Sequence, residues 1–274
     1  MPAADREPSD TDKVMVTAGD GTSIACWRSG EGPPLLLFHG ISADHRRWDP
    51  VLPALAERFT VYNVDRRGRG GSDDSDGYAF EREFADTTAA IDAIGGPVDV
   101  IGHSYGAMCA LEAALLTTNI RRLVLYEPPY RMSDRPVSPP DVVDRLETHL
   151  AAGDRDEVIA VMMGELVGVP PEAMAEMRTR PAWAARVAAA HTIPRELRAL
   201  ETYRFAPERF RNVTIPTLLL LGGTSPDSMG QATRAVAEVL PNAQTVVLPG
   251  QGHVAMDTAP GLFTTEVLRF LSVA

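Results

Sequence analysis

Residues 100–116 read VIGHSYGAMCALEAALL: an apolar run typical of a strand, the pentapeptide Gly-His-Ser-Tyr-Gly, and an apolar run typical of a helix. Gly102 and Gly106 permit a sharp turn from strand to helix, and such a turn holds the hydroxyl of Ser104 above the sheet at a helix N-terminus. A serine between two glycines is also compatible with a simple turn. The flanking strand and helix favour a nucleophilic serine.

Seven further short apolar runs accompany this stretch. They lie at residues 14–17, 24–27, 35–38, 61–64, 123–126, 218–221 and 245–248. The first two are joined by Gly19-Asp20-Gly21, which predicts a hairpin, whereas the later connections are long enough for the helices that link parallel strands. Runs such as LLLF are continuously apolar, which is typical of strands covered on both faces. We therefore predict an α/β fold with an eight-stranded, mostly parallel sheet and helices on both faces.

The chain divides into three predicted parts. Residues 1–12 are polar and acid-rich, which predicts a disordered tail. Residues 13–127 and 211–274 carry the strand pattern and form the predicted core. Residues 128–210 show helical spacing without a convincing strand, so we expect a helical insertion that covers the sheet as a lid.

Composition restricts the possible partners. The 274 residues carry a formal net charge of -11, which repels phosphate backbones, so we expect neither nucleic acid nor an anionic membrane surface as a partner. Cys26 and Cys109 lie in apolar stretches outside any metal-ligand spacing, so no metal is expected. The chain shows neither a secretory signal nor an apolar run of membrane-spanning length, which favours a cytoplasmic protein. The sequence is compatible with a homodimer and does not decide the oligomeric state.

Four landmarks in order give the chain a family resemblance. They are His39-Gly40, the turn at 65–72, the pentapeptide around Ser104, and Gly250-Gln251-Gly252-His253. With these landmarks the chain resembles the α/β-hydrolase superfamily over nearly its whole length. The resemblance implies the α/β-hydrolase fold, no cofactor, Ser104 as nucleophile and His253 as its general base. It also implies that the backbone N–H groups of Ile41 and Tyr105 form the oxyanion hole.

The remaining histidines are weaker candidates for the base. His39 and His103 stand where the family usually buttresses loops. The others, His45, His149 and His191, fall in predicted helices or on the lid.

Three arginines within the 65–72 turn suggest a phosphate site. They are Arg66, Arg67 and Arg69. In the family this loop is mainly a structural turn, and we favour that interpretation, with Asp65 anchoring it. No P-loop or glycine-rich nucleotide fingerprint occurs in the sequence.

The third member of the catalytic triad departs from the family pattern. Ser225 stands where the family usually has an acid, and a neutral hydroxyl stabilises an imidazolium poorly. Two carboxylates could replace it: Asp227, two residues further on, and Glu127, at the end of the sixth strand. We favour Glu127, because its strand should lie beside the strand that carries Ser104. This arrangement is similar to zearalenone-type lactone hydrolases, in which a glutamate after strand six completes the triad.

Three alternatives to a catalytic Glu127 remain. In one of them the chain lacks a working acid, and in another Glu127 merely binds backbone amides where the lid begins. Asp227 as the acid is the third possibility.

The lid should decide the substrate. Its Met and aromatic side chains suit an apolar ligand, and we name Trp183, Met162 and Tyr203 as candidate substrate-binding residues, although core packing is the commoner role of such side chains. A tryptophan of the lid also contacts the ligand in zearalenone-type lactonases.

The predicted function is cofactor-independent serine hydrolysis of a carboxylic ester or lactone of a mostly apolar small molecule, with a zearalenone-like macrolactone as one candidate. The alternatives within the fold are a haloperoxidase-like enzyme, a carbon–carbon bond hydrolase and a thioester hydrolase. A non-catalytic ligand-binding homologue is the alternative from another class.

Overall fold

The computed structural model describes residues 12–132, 138–139 and 141–272, so residues 1–11 of the predicted tail lie outside the described residues. The described residues form one eight-stranded sheet, as predicted. The strands are β1 (Lys13–Thr17), β2 (Ser23–Ser29), β3 (Pro34–Phe38), β4 (Thr60–Val64), β5 (Val98–His103), β6 (Ile120–Tyr126), β7 (Thr217–Gly222) and β8 (Ala243–Leu248).

The strand order is β1-β2-β4-β3-β5-β6-β7-β8. β1 and β2 form the predicted antiparallel hairpin, and β2 also pairs antiparallel with β4. All the other pairs are parallel, since helices cross over between the strands. The prediction of a mostly parallel sheet is confirmed.

The α-helices are interspersed with the strands along the chain and are numbered in chain order. They are α1 (Leu52–Ala56), α2 (Phe80–Ala93), α3 (Tyr105–Ala113), α4 (Val142–Ala151), α5 (Arg155–Val161), α6 (Pro171–Arg178), α7 (Pro181–Ala188), α8 (Thr192–Thr202), α9 (Asp227–Val239), α10 (Ala255–Thr258) and α11 (Pro260–Leu271). Single turns of 3₁₀-helix cover His45–Trp48 and Pro207–Phe210, and a π-helical turn covers Met162–Leu166.

Both faces of the sheet are buried, which explains the continuous apolar runs. In β3, Leu36 and Phe38 belong to one core cluster, which packs against α2, α3 and α9. Leu35 and Leu37 point to the opposite face, where the second cluster includes residues of α1, α10 and α11. Since side chains alternate along a strand, a strand covered on both faces needs an apolar residue at every position.

Helices α4–α8, here called the α4–α8 segment, connect β6 to β7. They have an apolar cluster of their own, to which each of the helices α4–α8 and the π-helical turn contribute. The side chain of Ile41, from the loop after β3, packs against this cluster and also against the core of the sheet. The loop after β3 therefore lies between the sheet and the α4–α8 segment.

The register of the central strands positions the candidate site. His103, the last residue of β5, pairs with Tyr126, the last residue of β6. Ser104 and Glu127 are the next residues on these two strands, so they leave neighbouring strands at the same edge of the sheet. The N–H of Ser104 donates to the carbonyl oxygen of Tyr126 at 2.8 Å, which fixes this arrangement.

Candidate active site

Ser104 occupies a strained turn between β5 and α3. Its φ of 54° and ψ of -122° lie in a region that non-glycine residues rarely adopt. The two flanking glycines make the turn possible. A Cβ atom on Gly106 would lie 2.3 Å from the carbonyl oxygen of Phe38, and one on Gly102 would lie 2.6 Å from the Cα of Ala107. The turn therefore needs glycine at both positions, as the sequence predicts.

The loop after β3 approaches Ser104 closely. A Cβ atom on Gly40 would lie 3.0 Å from the Cβ of Ser104. Among the described residues, the backbone N–H groups of Ile41 and Tyr105 have no acceptor. These are the two amides predicted for the oxyanion hole, and both are free to donate to a substrate oxygen.

Glu127 is fully buried at the end of β6, and its backbone has a φ of 47°. Its Oε1 accepts a hydrogen bond from the N–H of Gly222 at 2.7 Å, and its Oε2 lies 2.5 Å from Nδ1 of His253. Since an ionised carboxylate only accepts, Nδ1 of His253 carries the proton in this contact. The Nε2 atom then holds the lone pair that a general base needs.

The loop of His253 is attached to the strand ends beside Ser104. His103, the residue before Ser104, donates from Nε2 to the carbonyl oxygen of His253 at 2.8 Å, and the two rings lie 4.6 Å apart. The hydroxyl of Tyr126 donates to the carbonyl oxygen of Gly252. The described residues show no hydrogen bond between Ser104 and His253, so the structure brings their loops together without closing that bond.

The other candidate acid, Asp227, is not bonded to His253 among the described residues. Asp227 is exposed at the start of α9, and in the described parts of the chain it makes no hydrogen bond to His253. The Oγ of Ser225 is buried and has no hydrogen-bond partner among the described residues. Of the two carboxylates that the sequence leaves open, the structure pairs Glu127 with His253.

Two further histidines are held neutral near the site. Burial lowers the pKa of His103 well below its usual value, and the nearby charges of His253 and Arg47 lower it further. Burial likewise lowers the pKa of His39, helped by Arg66 and Arg69. His39 donates from Nδ1 to the carbonyl oxygen of Gly40 at 2.8 Å, so it supports the loop that carries Ile41.

Each of the remaining three histidines lies beside a carboxylate other than Glu127. His45 contacts Asp65, His149 lies 3.7 Å from Asp154, and His191 lies 3.2 Å from Asp74.

The arginine-rich loop is a structural turn, as predicted. The Asp65 carboxylate accepts from the backbone N–H of His45 and of Gly71, and from the indole N–H of Trp27. Because carboxylates bind the three arginines of the loop, it offers no phosphate site.

Those ion pairs join the loop to α2 and α8. Arg66 pairs with Glu83 of α2 and with Glu196 of α8, at 2.9 and 2.7 Å, and Arg69 also pairs with Glu196. Arg67 pairs with Asp86 of α2 at 2.6 Å. The guanidinium of Arg66 also donates to the carbonyl oxygen of Gly40 at 3.2 Å.

A cleft of about 650 Å³ opens between the α4–α8 segment and the loop after β3. Ser42 and Val254, which follow Ile41 and His253 in the chain, contribute to its wall. Trp183 lines the cleft, and its indole N–H donates to Asp156 at 2.6 Å.

The other two predicted substrate-binding residues are packed into apolar clusters. Met162 is buried in the cluster of the α4–α8 segment. Tyr203 packs against Phe80 and Tyr130, and its hydroxyl donates to Glu112. Tyr203 is not part of the cleft wall as the described residues form it.

Two residues that support the site were not predicted from sequence in this role. Tyr126 holds the His253 loop, and Gly222 orients Glu127, whereas His103 buttresses that loop as the family resemblance implies. Tyr126 lies in an apolar strand, where it is indistinguishable from an ordinary core residue, and Gly222 acts through its backbone, which no side-chain pattern reveals.

Two negative findings apply to the described residues. No group of three or more His, Cys, Asp or Glu side chains is placed there to hold a metal ion. Nor does any helix in residues 12–132, 138–139 and 141–272 have the length and hydropathy needed to cross a membrane.

Comparison with known proteins agrees with this architecture. The model of the alpha/beta hydrolase family matches residues 35–266. A solved structure of an alpha/beta hydrolase from Sphaerobacter thermophilus is 40% identical, covers 94% of this chain and 100% of its own, and superposes with a TM-score of 0.82.

Two more distant relatives are described by their activity. An esterase from Rhodococcus sp. is 25% identical and covers 95% of this chain and 98% of its own, with a TM-score of 0.75. The 2-(acetamidomethylene)succinate hydrolase of Mesorhizobium japonicum is 27% identical over 88% of this chain and 89% of its own length.

Proposed function

The chain belongs to the alpha/beta hydrolase family, and from this premise we propose that it is a cofactor-independent serine hydrolase that cleaves a carboxylic ester or lactone of a mostly apolar small molecule. Its relatives support hydrolase activity in general. The observation that carries the proposal of ester or lactone hydrolysis by a serine is the 2.5 Å contact between Glu127 and Nδ1 of His253, beside the strained Ser104. Each chemical step needs only these three side chains, the backbone N–H groups of Ile41 and Tyr105, and water.

In the acylation half-reaction, Oγ of Ser104 attacks the carbonyl carbon while Nε2 of His253 takes the hydroxyl proton. The carbonyl electron pair moves onto oxygen, where the N–H groups of Ile41 and Tyr105 stabilise the negative charge. The imidazolium is stabilised by the Glu127 carboxylate. When the tetrahedral intermediate collapses, the C–O bond to the alcohol breaks, and His253 returns its proton to the alcohol oxygen.

In the deacylation half-reaction, His253 takes a proton from water, and the resulting hydroxide attacks the acyl carbon of the ester on Ser104. Collapse of the second intermediate breaks the bond to Oγ, which recovers its proton from the imidazolium. The products are a carboxylic acid and free enzyme. A lactone follows the same steps and yields a single hydroxy acid.

The α4–α8 segment is proposed as the lid that selects the substrate, within the proposed insertion at residues 128–210. The cleft beneath it has an apolar wall that includes Trp183 and Met163. Such a wall suits an apolar ester, and a macrolactone is the narrower candidate that the position of Glu127 suggests.

The test is hydrolysis of a panel of aryl esters, alkyl esters and macrolactones, with Ser104→Ala as the control for contaminating activity. We expect turnover by the wild type and its loss in the variant. Labelling by a fluorophosphonate should follow the same pattern, because only an activated serine reacts quickly. A wild-type serine that labels no faster than a surface hydroxyl would overturn the proposal in favour of a ligand-binding protein.

A further inference from the structure

Arg186, in α7, is a cation without a carboxylate partner among the described residues. Its side chain is half-buried in the wall of the cleft, and its one hydrogen-bonding contact there joins Nη1 to the sulfur of Met163 at 3.6 Å. A thioether sulfur is a weak acceptor, so it leaves most of the donor capacity of the guanidinium unused.

The other arginines of the cleft wall are all paired. Arg46 binds Asp44, Arg47 binds Asp257, and Arg180 binds Glu176. The remaining carboxylate of the wall, Asp49, is exposed to solvent. Arg186 is thus the arginine of this wall for which the described residues provide no counter-ion.

The position of Arg186 is electrostatically unfavourable without a ligand. Burial lowers its pKa, and the nearby charge of Arg47 lowers it further, although Asp257 and Asp44 act in the opposite direction. A guanidinium stays protonated in proteins nonetheless, so the charge persists in the wall. Burying an unpaired charge costs free energy, and an anion that enters the cleft recovers part of that cost.

The surroundings of Arg186 define the rest of the ligand. An apolar wall lies beside it, formed by Met163, Val167, Val169, Met177 and Trp183. Ser42 and Val254 also line the cleft, and they follow Ile41 of the proposed oxyanion hole and the proposed base His253 in the chain. A molecule that spans this cleft would place a charged end at Arg186, an apolar middle on the wall and its ester near Ser104.

We propose that Arg186 binds a carboxylate of the substrate, so that the substrates are half-esters or lactones that carry a free acid group at the far end of an apolar chain. This inference rests on the proposed function. A carboxylate fits better than a phosphate dianion, because one planar guanidinium matches one carboxylate through two parallel hydrogen bonds.

Two esters with the same eight-carbon acyl chain test the proposal: mono-4-nitrophenyl suberate, which ends in a carboxylate, and 4-nitrophenyl octanoate, which ends in a methyl group. We expect the wild type to prefer the suberate. Arg186→Gln should raise KM for the suberate about 10- to 100-fold and leave the octanoate nearly unchanged, since a hydrogen bond to a charged group is lost. Arg186→Lys should restore part of the suberate activity.

Arg198→Gln is the matched control. It removes the same charge from the same segment, but Arg198 is exposed on α8, where it pairs with Asp144 and Glu147 outside the cleft. Both esters should react as with the wild type. Equal losses for the two esters in Arg186→Gln, or a wild type without preference for the suberate, would overturn the inference.

Binding separates this inference from the proposed function, because it needs no turnover. Free suberate is titrated calorimetrically into Ser104→Ala and into the double variant Ser104→Ala/Arg186→Gln. Binding to the first and not to the second supports the inference even if no ester is hydrolysed. Hydrolysis of the octanoate combined with equal or absent suberate binding in both variants would overturn the inference and leave the hydrolase proposal intact.

Discussion

The N–H of Gly222, the last residue of β7, donates to Oε1 of Glu127, which follows the last residue of β6, at 2.7 Å. This bond leaves Oε2 directed at His253. The family usually has its acidic side chain just after β7. Here the end of β7 instead contributes a backbone N–H donor, which orients a carboxylate from the neighbouring strand. The two carboxylate oxygens thus have separate tasks.

We expect Glu127→Gln to lower kcat about 100- to 10,000-fold with little change in KM. The glutamine oxygen can still accept from Gly222, but an amide NH₂ facing Nδ1 favours the histidine tautomer that has its proton on Nε2. Steady-state kinetics on the best ester of the panel measure the effect. Asp227→Asn is the control and should retain activity, so a crippled Asp227→Asn beside an active Glu127→Gln would refute the assignment of the acid.

Gly106→Ala should destabilise the fold by about 3 kcal/mol or more and abolish activity, because the new methyl group would lie 2.3 Å from the carbonyl oxygen of Phe38 in β3. Urea unfolding measures the loss. Gly261→Ala, in α11, is the control: it meets open space, and we expect a slight gain in stability. Equal stability of the two variants would show that the turn tolerates a side chain.

Stability should fall as the pH is lowered from 7 to 5. His39 and His103 are neutral when folded, because their folded pKa values lie well below the usual 6.5. The unfolded chain therefore binds more protons than the folded protein as the pH drops through 6.5 towards the folded pKa values. Each histidine that stays unprotonated in the folded protein lowers the free energy of unfolding by up to about 1.4 kcal/mol per pH unit. Thermal unfolding at several pH values measures this slope.

His39→Asn should be less stable than the wild type at pH 7 but should lose less stability on acidification. The matched control is Ile91→Val, which removes one methyl group from the core and no titratable group. It should keep the wild-type slope. If His39→Asn also keeps that slope, the buried neutral histidine does not cause the acid sensitivity.

Arg66→Met should destabilise the protein by about 3–5 kcal/mol, because it leaves Glu83 and Glu196 buried without this partner. Burial raises the pKa of Glu83, but the attraction and hydrogen bonds of Arg66 together with the charges of Arg69 and Arg67 outweigh burial, so the pKa lies below its usual value. Arg145→Met, which breaks the exposed pair with Glu165, should cost much less. Denaturant unfolding of both variants tests the contrast, and similar losses would contradict it.

The strands and the nucleophile turn could be predicted because their signals are local. Continuous apolar runs mark strands buried on both faces, and two glycines around a serine mark a turn with close backbone approaches. The contact between Glu127 and His253 could be anticipated as well, since strand order places the end of β6 beside that of β5.

Other contacts could not be predicted, because each depends on where distant backbone atoms meet. Nothing near Gly222 or Tyr126 in the sequence predicts their hydrogen bonds to residues 95 and 126 positions away. Arg66 and Glu196 are 130 residues apart, and neither has a local pattern that predicts a buried pair. The sequence also leaves Asp227 and Glu127 both open, and only the structure shows that His253 contacts Glu127.

The buried pairing of Glu196 with Arg66 and Arg69 has a mechanical consequence. Buried charges separate only at great cost, so we expect α8 to stay attached to the turn after β4. If the proposed lid opens over the cleft, we expect the movement in α6, α7 and the π-helical turn. Helix α8 would then be the fixed element relative to which these helices move.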